Sequence, residues 1–224
     1  MPTKTIVHLL RHGEVHNPDG VLYGRLPGYH LSDRGRQMAE RVAETLRDHD
    51  LTHLRCSPLE RAQETMRPQL EFHDLPVITD GRVIEAENYL EGSVVSFGVS
   101  SILKNKLNAM RRPRNWLMFR NPLRPTWGER YPEIVERMRL AIRDAAEAAK
   151  GHEALIVSHQ LPIWMARCDI EGRRLAHDPR KRECTLASLT SITIIDGRVA
   201  GVKYTEPAKD LLPAKRSEKF VAGA

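Results

Sequence analysis

Only three cysteines occur in the 224-residue chain, Cys56, Cys168 and Cys184, an odd number with no CxxC pair. That excludes a disulfide framework and a thiolate zinc centre, and the thiols read as buried or incidental ones in a reducing compartment. No run of 18 or more apolar residues is present, so no membrane-spanning helix is expected. The opening MPTKTIVHLLRHGE has no long apolar stretch and no small-residue cleavage site. A signal peptide is therefore not expected, and the cytoplasm is the default location. Repeats and low-complexity tracts are missing as well. Between Ser93 and Gly128 there is no acidic residue, although Lys104, Lys106, Arg111, Arg112, Arg114, Arg120 and Arg124 all fall there. These cations account for the whole formal excess of +6, so the basicity is local. No recognition helix or aromatic sheet motif accompanies it, which argues against nucleic acid as a partner. An anionic small molecule, or a solvated face, explains the segment with less machinery.

What is present describes a folded protein: 41% hydrophobic and 29% charged residues, in a length that suits one α/β domain. That domain is assigned to residues 1–206, with a basic insertion at about 93–128 and a loose tail at 207–224. TIVHLL is a short β-branched run ending at Arg11, as a buried parallel strand does. Pro18, Gly20, Gly24, Pro27 and Gly28 mark a loop. Ser32 caps a helix running to about Asp50, with Met38, Val42 and Leu46 at helical spacing. LTHLRCS is a second strand, followed by a helix from Pro58 to about Phe72, and LPVIT is a third strand. A helix is expected around Val95 to Met110, and another from Tyr131 to Lys150. EALIVSH is a further strand, LPIWMARCDI a further helix, and SLTSITIIDGRVAGVKY a hairpin turning at Asp196-Gly197. The alternation predicts a three-layer α/β sandwich, its central sheet mostly parallel and covered by helices on both faces. In such sheets ligands bind beyond the carboxyl ends of the strands, which directs attention to three places.

The first is Leu9-Leu10-Arg11-His12-Gly13-Glu14, where a strand delivers a guanidinium and an imidazole and Gly13 lets the backbone turn. The second is Ser57-Pro58-Leu59-Glu60-Arg61-Ala62-Gln63-Glu64-Thr65. There Ser57, Pro58 and Glu60 read as a capping box with Arg61 in the first turn. The third is Ala154-Leu155-Ile156-Val157-Ser158-His159, a strand running into a helix with Pro162 in its first turn. Each alone has a bland alternative: a strand-end histidine bonded to a loop, a well-capped surface helix, a histidine at a sheet edge. Together they place two histidines and two arginines at one pole of one sheet. A histidine beside a fixed guanidinium suits attack on phosphorus, because nearby positive charge favours the neutral, nucleophilic imidazole.

This combination resembles the histidine phosphatase superfamily, whose best-known branch is cofactor-dependent phosphoglycerate mutase. The resemblance spans roughly residues 5 to 165 and rests on Leu-Arg-His-Gly-Glu, Ser-Pro-x-x-Arg-Ala-x-x-Thr, an acidic motif and a late strand ending in Ser-His. It implies a phosphoglycerate mutase-like fold, with His12 becoming phosphohistidine and Arg11, Arg61 and His159 binding the transferring group. It also implies neither metal nor other cofactor, and the remaining histidines show no ligand spacing. The leaving group needs an acid. Arg82-Val83-Ile84-Glu85-Ala86-Glu87-Asn88-Tyr89-Leu90-Glu91-Gly92 fits the family outline, one residue short between Glu85 and Gly92 and without the customary glycine. Glu85 is the preferred acid because it follows an apolar pair, and Glu87 is the alternative. The family asparagine that lines the phosphate site falls one position later than Asn17. Gly24 and Arg25 sit at family-like positions for substrate binding, and Arg25 and Glu129 can bracket the pocket.

The functional expectation is a phosphatase acting on a small phosphorylated substrate, with no nucleic acid or membrane partner; a homodimer stays open. Phosphoglycerate mutase-type transfer is the alternative, because residues 93–128 are basic and carry Pro113, Pro122 and Pro125 without reproducing the mutase pattern. Trp116, Phe119 and Trp127 would add an apolar wall. A non-catalytic phospholigand-binding protein is a third reading.

Overall fold

The computed structural model describes residues 2–88, 91–92 and 128–213. Six strands form one sheet: β1 (Lys4–Arg11), β2 (Leu51–Cys56), β3 (Val77–Thr79), β4 (Glu153–Ser158), β5 (Leu189–Ile195) and β6 (Arg198–Thr205). Their order across the sheet is β3-β2-β4-β1-β5-β6. The first four are parallel, and β5 and β6 join antiparallel beside β1, the mixed arrangement expected of a crossover fold finished by a hairpin. Among the described residues four α-helices accompany them: α1 (Asp33–Leu46), α2 (Glu60–Met66), α3 (Tyr131–Ala148) and α4 (Gln160–Ile170). The basic segment, the helix expected around Val95–Met110 and the aromatic residues 116, 119 and 127 lie outside the described residues.

Period-two alternation along the central strands separates two cores. Val7, Leu9, Ala154 and Ile156 face α3 and α4, meeting Ile134, Met138 and Ile163. Leu10, Leu155 and Val157 face α1 and α2, meeting Met38, Val42, Leu46 and Ala62. Each large aliphatic chain buried this way contributes roughly 1.5–3 kcal/mol relative to exposure, which is why strands apolar on both faces specify a sheet sandwiched by helices.

Local signals set most of the boundaries. Ser32 Oγ accepts from the Gly35 amide at 3.0 Å, so α1 begins as the sequence predicts. Asp196 (φ 50°) and Gly197 (φ 77°) are both left-handed, the pair that a two-residue type I′ hairpin needs. Three expectations are corrected. No capping box forms at Ser57: α2 starts at Glu60 with Leu59 as its N-cap and no side-chain cap. The Glu60 carboxylate instead accepts from the Gly28 amide, at 3.0 Å. Gly13 does not adopt a positive φ; it is required by close approach, since a Cβ there would lie 2.5 Å from the Gly35 carbonyl oxygen. Residues 207–213 are not loose. Ala208 is 1% exposed, Leu211 and Leu212 pack against the α1 face of the core, and Asp210 pairs with Arg41.

At the amino ends of the strands, Glu153 Oε2 accepts from His8 Nε2 at 2.8 Å and from His49 Nδ1 at 2.6 Å. These bonds outweigh partial burial and hold its carboxyl down to about 2. A depressed carboxyl stabilises the fold above its ordinary range near 4.5, and the contribution fades as pH falls from there toward 2. Glu153→Gln is therefore expected to destabilise the protein by ~1–2 kcal/mol at pH 7 in urea unfolding. The deficit should close by about pH 2–3; an equal deficit at both pH values would show that the carboxylate charge is not its source.

Candidate active site

Register brings the chemistry-bearing residues together. Arg11 pairs with Ser158 and Cys56 with Val157, so β1, β2 and β4 end side by side. The next residues, His12, Ser57 and His159, emerge at this common edge and are each no more than 1% exposed. The His12 and His159 rings lie 5.1 Å apart, centroid to centroid. Arg61, from the first turn of α2, is fully buried and its guanidinium sits 4.7 Å over the Tyr23 ring. All four core residues read from the sequence thus share one site.

Hydrogen bonds fix the direction in which each group acts. His12 Nδ1 donates to the Gly13 carbonyl at 2.8 Å, which leaves the lone pair on Nε2. Ser57 Oγ meets His159 Nε2 at 2.7 Å, so the hydroxyl proposed as a helix cap is used to orient the second histidine. Arg11 Nη1 donates to the Cys184 carbonyl (2.7 Å) and Arg61 Nη2 to the Gly24 carbonyl (2.6 Å). Arg11 Nε, Arg61 Nε and Nη1, and His159 Nδ1 are buried without a hydrogen-bond partner among the described residues. Neither guanidinium pairs with a carboxylate among the described residues. Burial first, then Arg61 and Arg11, hold His12 well below its ordinary value, against the opposing pull of the Gly13 carbonyl. Burial, Arg61, His12 and Arg11 do the same to His159. The site therefore holds two neutral imidazoles between two fixed cations, an arrangement built to receive an anion.

A carboxyl group completes the site. Glu85 is half-buried, and burial pushes it above the usual carboxylate range despite the Ala86 amide and the Arg61, Arg11 and Arg182 charges. Glu87 is exposed and uses its backbone carbonyl to accept from the Glu129 amide at 3.1 Å. Of the two candidates, Glu85 is the carboxyl raised by burial, with Arg61, Arg11 and Arg182 acting on it in the opposite sense. Its segment has almost no regular structure, and side chains hold it instead. Arg137 Nη1 donates to the carbonyls of Arg82 (2.5 Å) and Ile84 (2.8 Å), Ser158 Oγ to that of Val83 (2.7 Å), and Arg25 Nε to that of Glu85 (2.7 Å). Every carbonyl from 82 to 85 is thereby tied down.

Comparison with known proteins agrees with this geometry. The family model described as histidine phosphatase superfamily (branch 1) matches residues 7–207. The chain belongs to the histidine phosphatase superfamily. It is similar to the Mycobacterium tuberculosis protein Rv0525, 49% identical over 208 residues, covering 93% of this chain and 99% of that one. Phosphoserine phosphatase 1 of Hydrogenobacter thermophilus is 26% identical over 165 residues, 73% of this chain and 75% of that protein. Among solved structures, YhfR of Bacillus stearothermophilus superposes with a TM-score of 0.68 at 23% identity, covering 87% of this chain and 94% of that one.

The other residues expected from the sequence take supporting positions in this superfamily member. Asn17 spends its side chain on its own loop, accepting from the Val21 amide (3.0 Å) and donating to the Val21 carbonyl (2.8 Å). Gly24, at φ 40°, presents the carbonyl that orients Arg61. Arg25 pairs with Glu129 at 2.9 Å besides holding Glu85, and Arg137 grips the same Glu129 at 2.6 Å. Thr65 and Tyr23 lie within the sequence motifs but were assigned no role there, and Arg137 and Arg182 escaped sequence reasoning altogether. Thr65 accepts from the Gly13 amide (3.1 Å) and donates to the Arg61 carbonyl (2.7 Å), joining β1's loop to α2. Tyr23 supplies the face under Arg61. Arg137 and Arg182 carried no signal beyond being arginines in a helix and a late loop. The histidines also held a surprise: His8, His49 and Glu153 bring ligand-type atoms within 4.8 Å of one another, although their sequence spacing shows nothing. That trio sits at the amino end of β4, opposite Ser158 and His159, and its carboxylate is already shared by both imidazoles.

Replacing Arg137 by Met removes two of the bonds on the 82–85 segment. Losing charge-assisted bonds of this kind costs about 1.5–3 kcal/mol, so amide exchange in a peptide covering 80–88 is expected to quicken roughly 10- to 100-fold. Unchanged exchange there would mean that Ser158 and Arg25 suffice to hold the acid.

Proposed function

We propose that this protein is a metal-independent phosphatase that hydrolyses a phosphomonoester through a phosphohistidine on His12. The observation that carries the reading is the neutral His12 ring, its Nε2 lone pair available, beside Arg11, Arg61 and His159, which keep buried donors without a partner among the described residues. Phosphoryl transfer needs little from a protein except positioning and charge stabilisation, and fixed guanidinium groups supply both.

In the first step His12 Nε2 attacks phosphorus as the ester P–O bond breaks. Arg11, Arg61 and the His159 Nδ1–H bind the equatorial oxygens, and the Glu85 proton passes to the departing oxygen, releasing an alcohol. In the second step the Glu85 carboxylate accepts a proton from water, whose oxygen attacks phosphorus while the P–N bond breaks. Inorganic phosphate leaves, and His12 and protonated Glu85 are restored. Arg25, Glu129, Arg137 and Ser158 hold the acid segment during both steps. Ser57 holds His159.

The pH dependence follows from the two shifts. His12 must be neutral, so activity falls on the acid side through a value well below 6.5. Glu85 must be protonated, so activity falls on the basic side through a value above 4.5. The kcat/KM profile is expected to be a bell displaced to the acid side of a typical His-only enzyme. Glu85→Gln should remove its basic limb and lower kcat about 100- to 1,000-fold for an alkyl phosphate. It should cost much less for p-nitrophenyl phosphate, whose leaving group departs unprotonated. A basic limb that survives the substitution would assign the acid elsewhere.

His12→Ala should abolish chelator-resistant turnover and the acid-labile, base-stable phosphoprotein trapped by rapid quench. Tight phosphate binding by the parent protein without turnover would replace this reading with phospholigand binding. Exchange between 2- and 3-phosphoglycerate outpacing hydrolysis would replace it with mutase activity.

A further inference from the structure

One cation at this site is not used by the hydrolytic scheme. Arg182 lies in the loop between α4 and β5, far in sequence from the motif residues, and is half-buried. Its Nε donates to His177 Nε2 at 2.8 Å and its Nη1 donates to Gln160 Oε1 at 3.3 Å. Gln160 follows His159 directly, and its Nε2 reaches the Cys184 carbonyl at 3.4 Å, the same oxygen that Arg11 Nη1 holds at 2.7 Å. A short hydrogen-bonded chain therefore runs from Arg11 through Cys184 and Gln160 to Arg182. His177 is itself fixed, its Nδ1 donating to the Leu175 carbonyl at 2.6 Å, so Nε2 is the acceptor for Arg182.

Arg182 feels the Tyr131 hydroxyl and the Glu85 carboxyl only at a distance. It forms no ion pair with a carboxylate among the described residues; both its side-chain partners are neutral groups. Glu85 is the carboxyl whose field it shares, and Arg11 the cation. In the hydrolytic scheme that carboxyl carries a proton when substrate binds. Among the described residues two of the five guanidinium N–H bonds are committed, to His177 and Gln160, and the others have no partner there. A half-buried guanidinium steadied by neutral partners at the rim of a phosphoryl site is suited to a planar or tetrahedral anion bound bidentately.

We propose that Arg182, braced by Gln160 and His177, forms a second anion subsite, so that preferred substrates are phosphomonoesters carrying a further carboxylate or phosphate group. This rests on the phosphatase reading for its turnover but not for its binding.

The test uses substrate pairs that differ in the second anion alone. These are 3-phosphoglycerate against glycerol 3-phosphate, and O-phosphoserine against phosphoethanolamine, with 2,3-bisphosphoglycerate added to separate phosphate from carboxylate. For the parent protein, kcat/KM is expected to favour the anionic member of each pair. In Arg182→Gln that selectivity ratio should fall about 10- to 100-fold, chiefly through KM, with partial recovery in Arg182→Lys. Loss confined to the bisphosphate would support the subsite and assign it to phosphate. A parent without selectivity, or an equal decline for both members of each pair, would overturn the proposal. Calorimetric titration of 3-phosphoglycerate into His12→Ala, with and without Arg182→Gln, separates the two readings. Weaker binding in the double variant would sustain the subsite even if the parent protein turned nothing over; equal binding would overturn it while leaving hydrolysis intact.

Discussion

Two buried guanidinium groups that form no ion pair among the described residues are the constraint around which the rest of the molecule is arranged. An isolated buried charge costs several kcal/mol, and among the described residues Arg11 and Arg61 each offset it with a hydrogen bond to one backbone carbonyl. Burial first, and their field with it, keeps the two imidazoles neutral, so that the electrostatic liability leaves a free lone pair on His12 Nε2. The cores on either face of the sheet provide the stability that makes such an uncompensated site tolerable.

The rigid and irregular parts of the fold divide the work. His12, Ser57 and His159 are delivered by strand ends whose register is fixed by apolar alternation, so their relative positions follow from the sheet. The acid segment has no ladder to hold it. Its carbonyls are instead bound one by one by Arg137, Ser158 and Arg25, with Glu129 joining the two arginines. The Glu85 carboxyl is thus anchored through its backbone, leaving its side chain governed by burial and by the arginines.

Much of this was legible before any fold was known. The β-branched runs, the Ser32 cap and the Asp196-Gly197 turn predicted elements that the structure contains, because each is decided by interactions within a few residues. The motif residues Arg11, His12, Arg61 and His159 stood out for the same reason: each sits where a strand gives way to a loop or helix. Errors arose where one side chain had two uses. Ser57 has the sequence of a helix cap, but the imidazole of His159, a hundred residues away, claims its hydroxyl. Glu60 bonds the Gly28 amide instead of its own helix end, and Asn17 closes its own loop. The tail from Pro207 reads as loose, yet Ala208 and Leu212 find an apolar face that composition cannot reveal.

By itself the order of residues determined the class of fold, the sheet's parallel core with its antiparallel finish, and the kind of chemistry available at the strand ends. Those follow from periodicity and from residue types next to one another. Tertiary structure alone decided that Glu85 and not Glu87 lies in the field of the arginines, that Arg25 and Arg137 brace the acid, and that Arg182 joins the cluster. Each is a meeting of side chains tens to more than a hundred residues apart. Nothing local encodes such a meeting; it exists only once the two cores have set the distance between strands and helices.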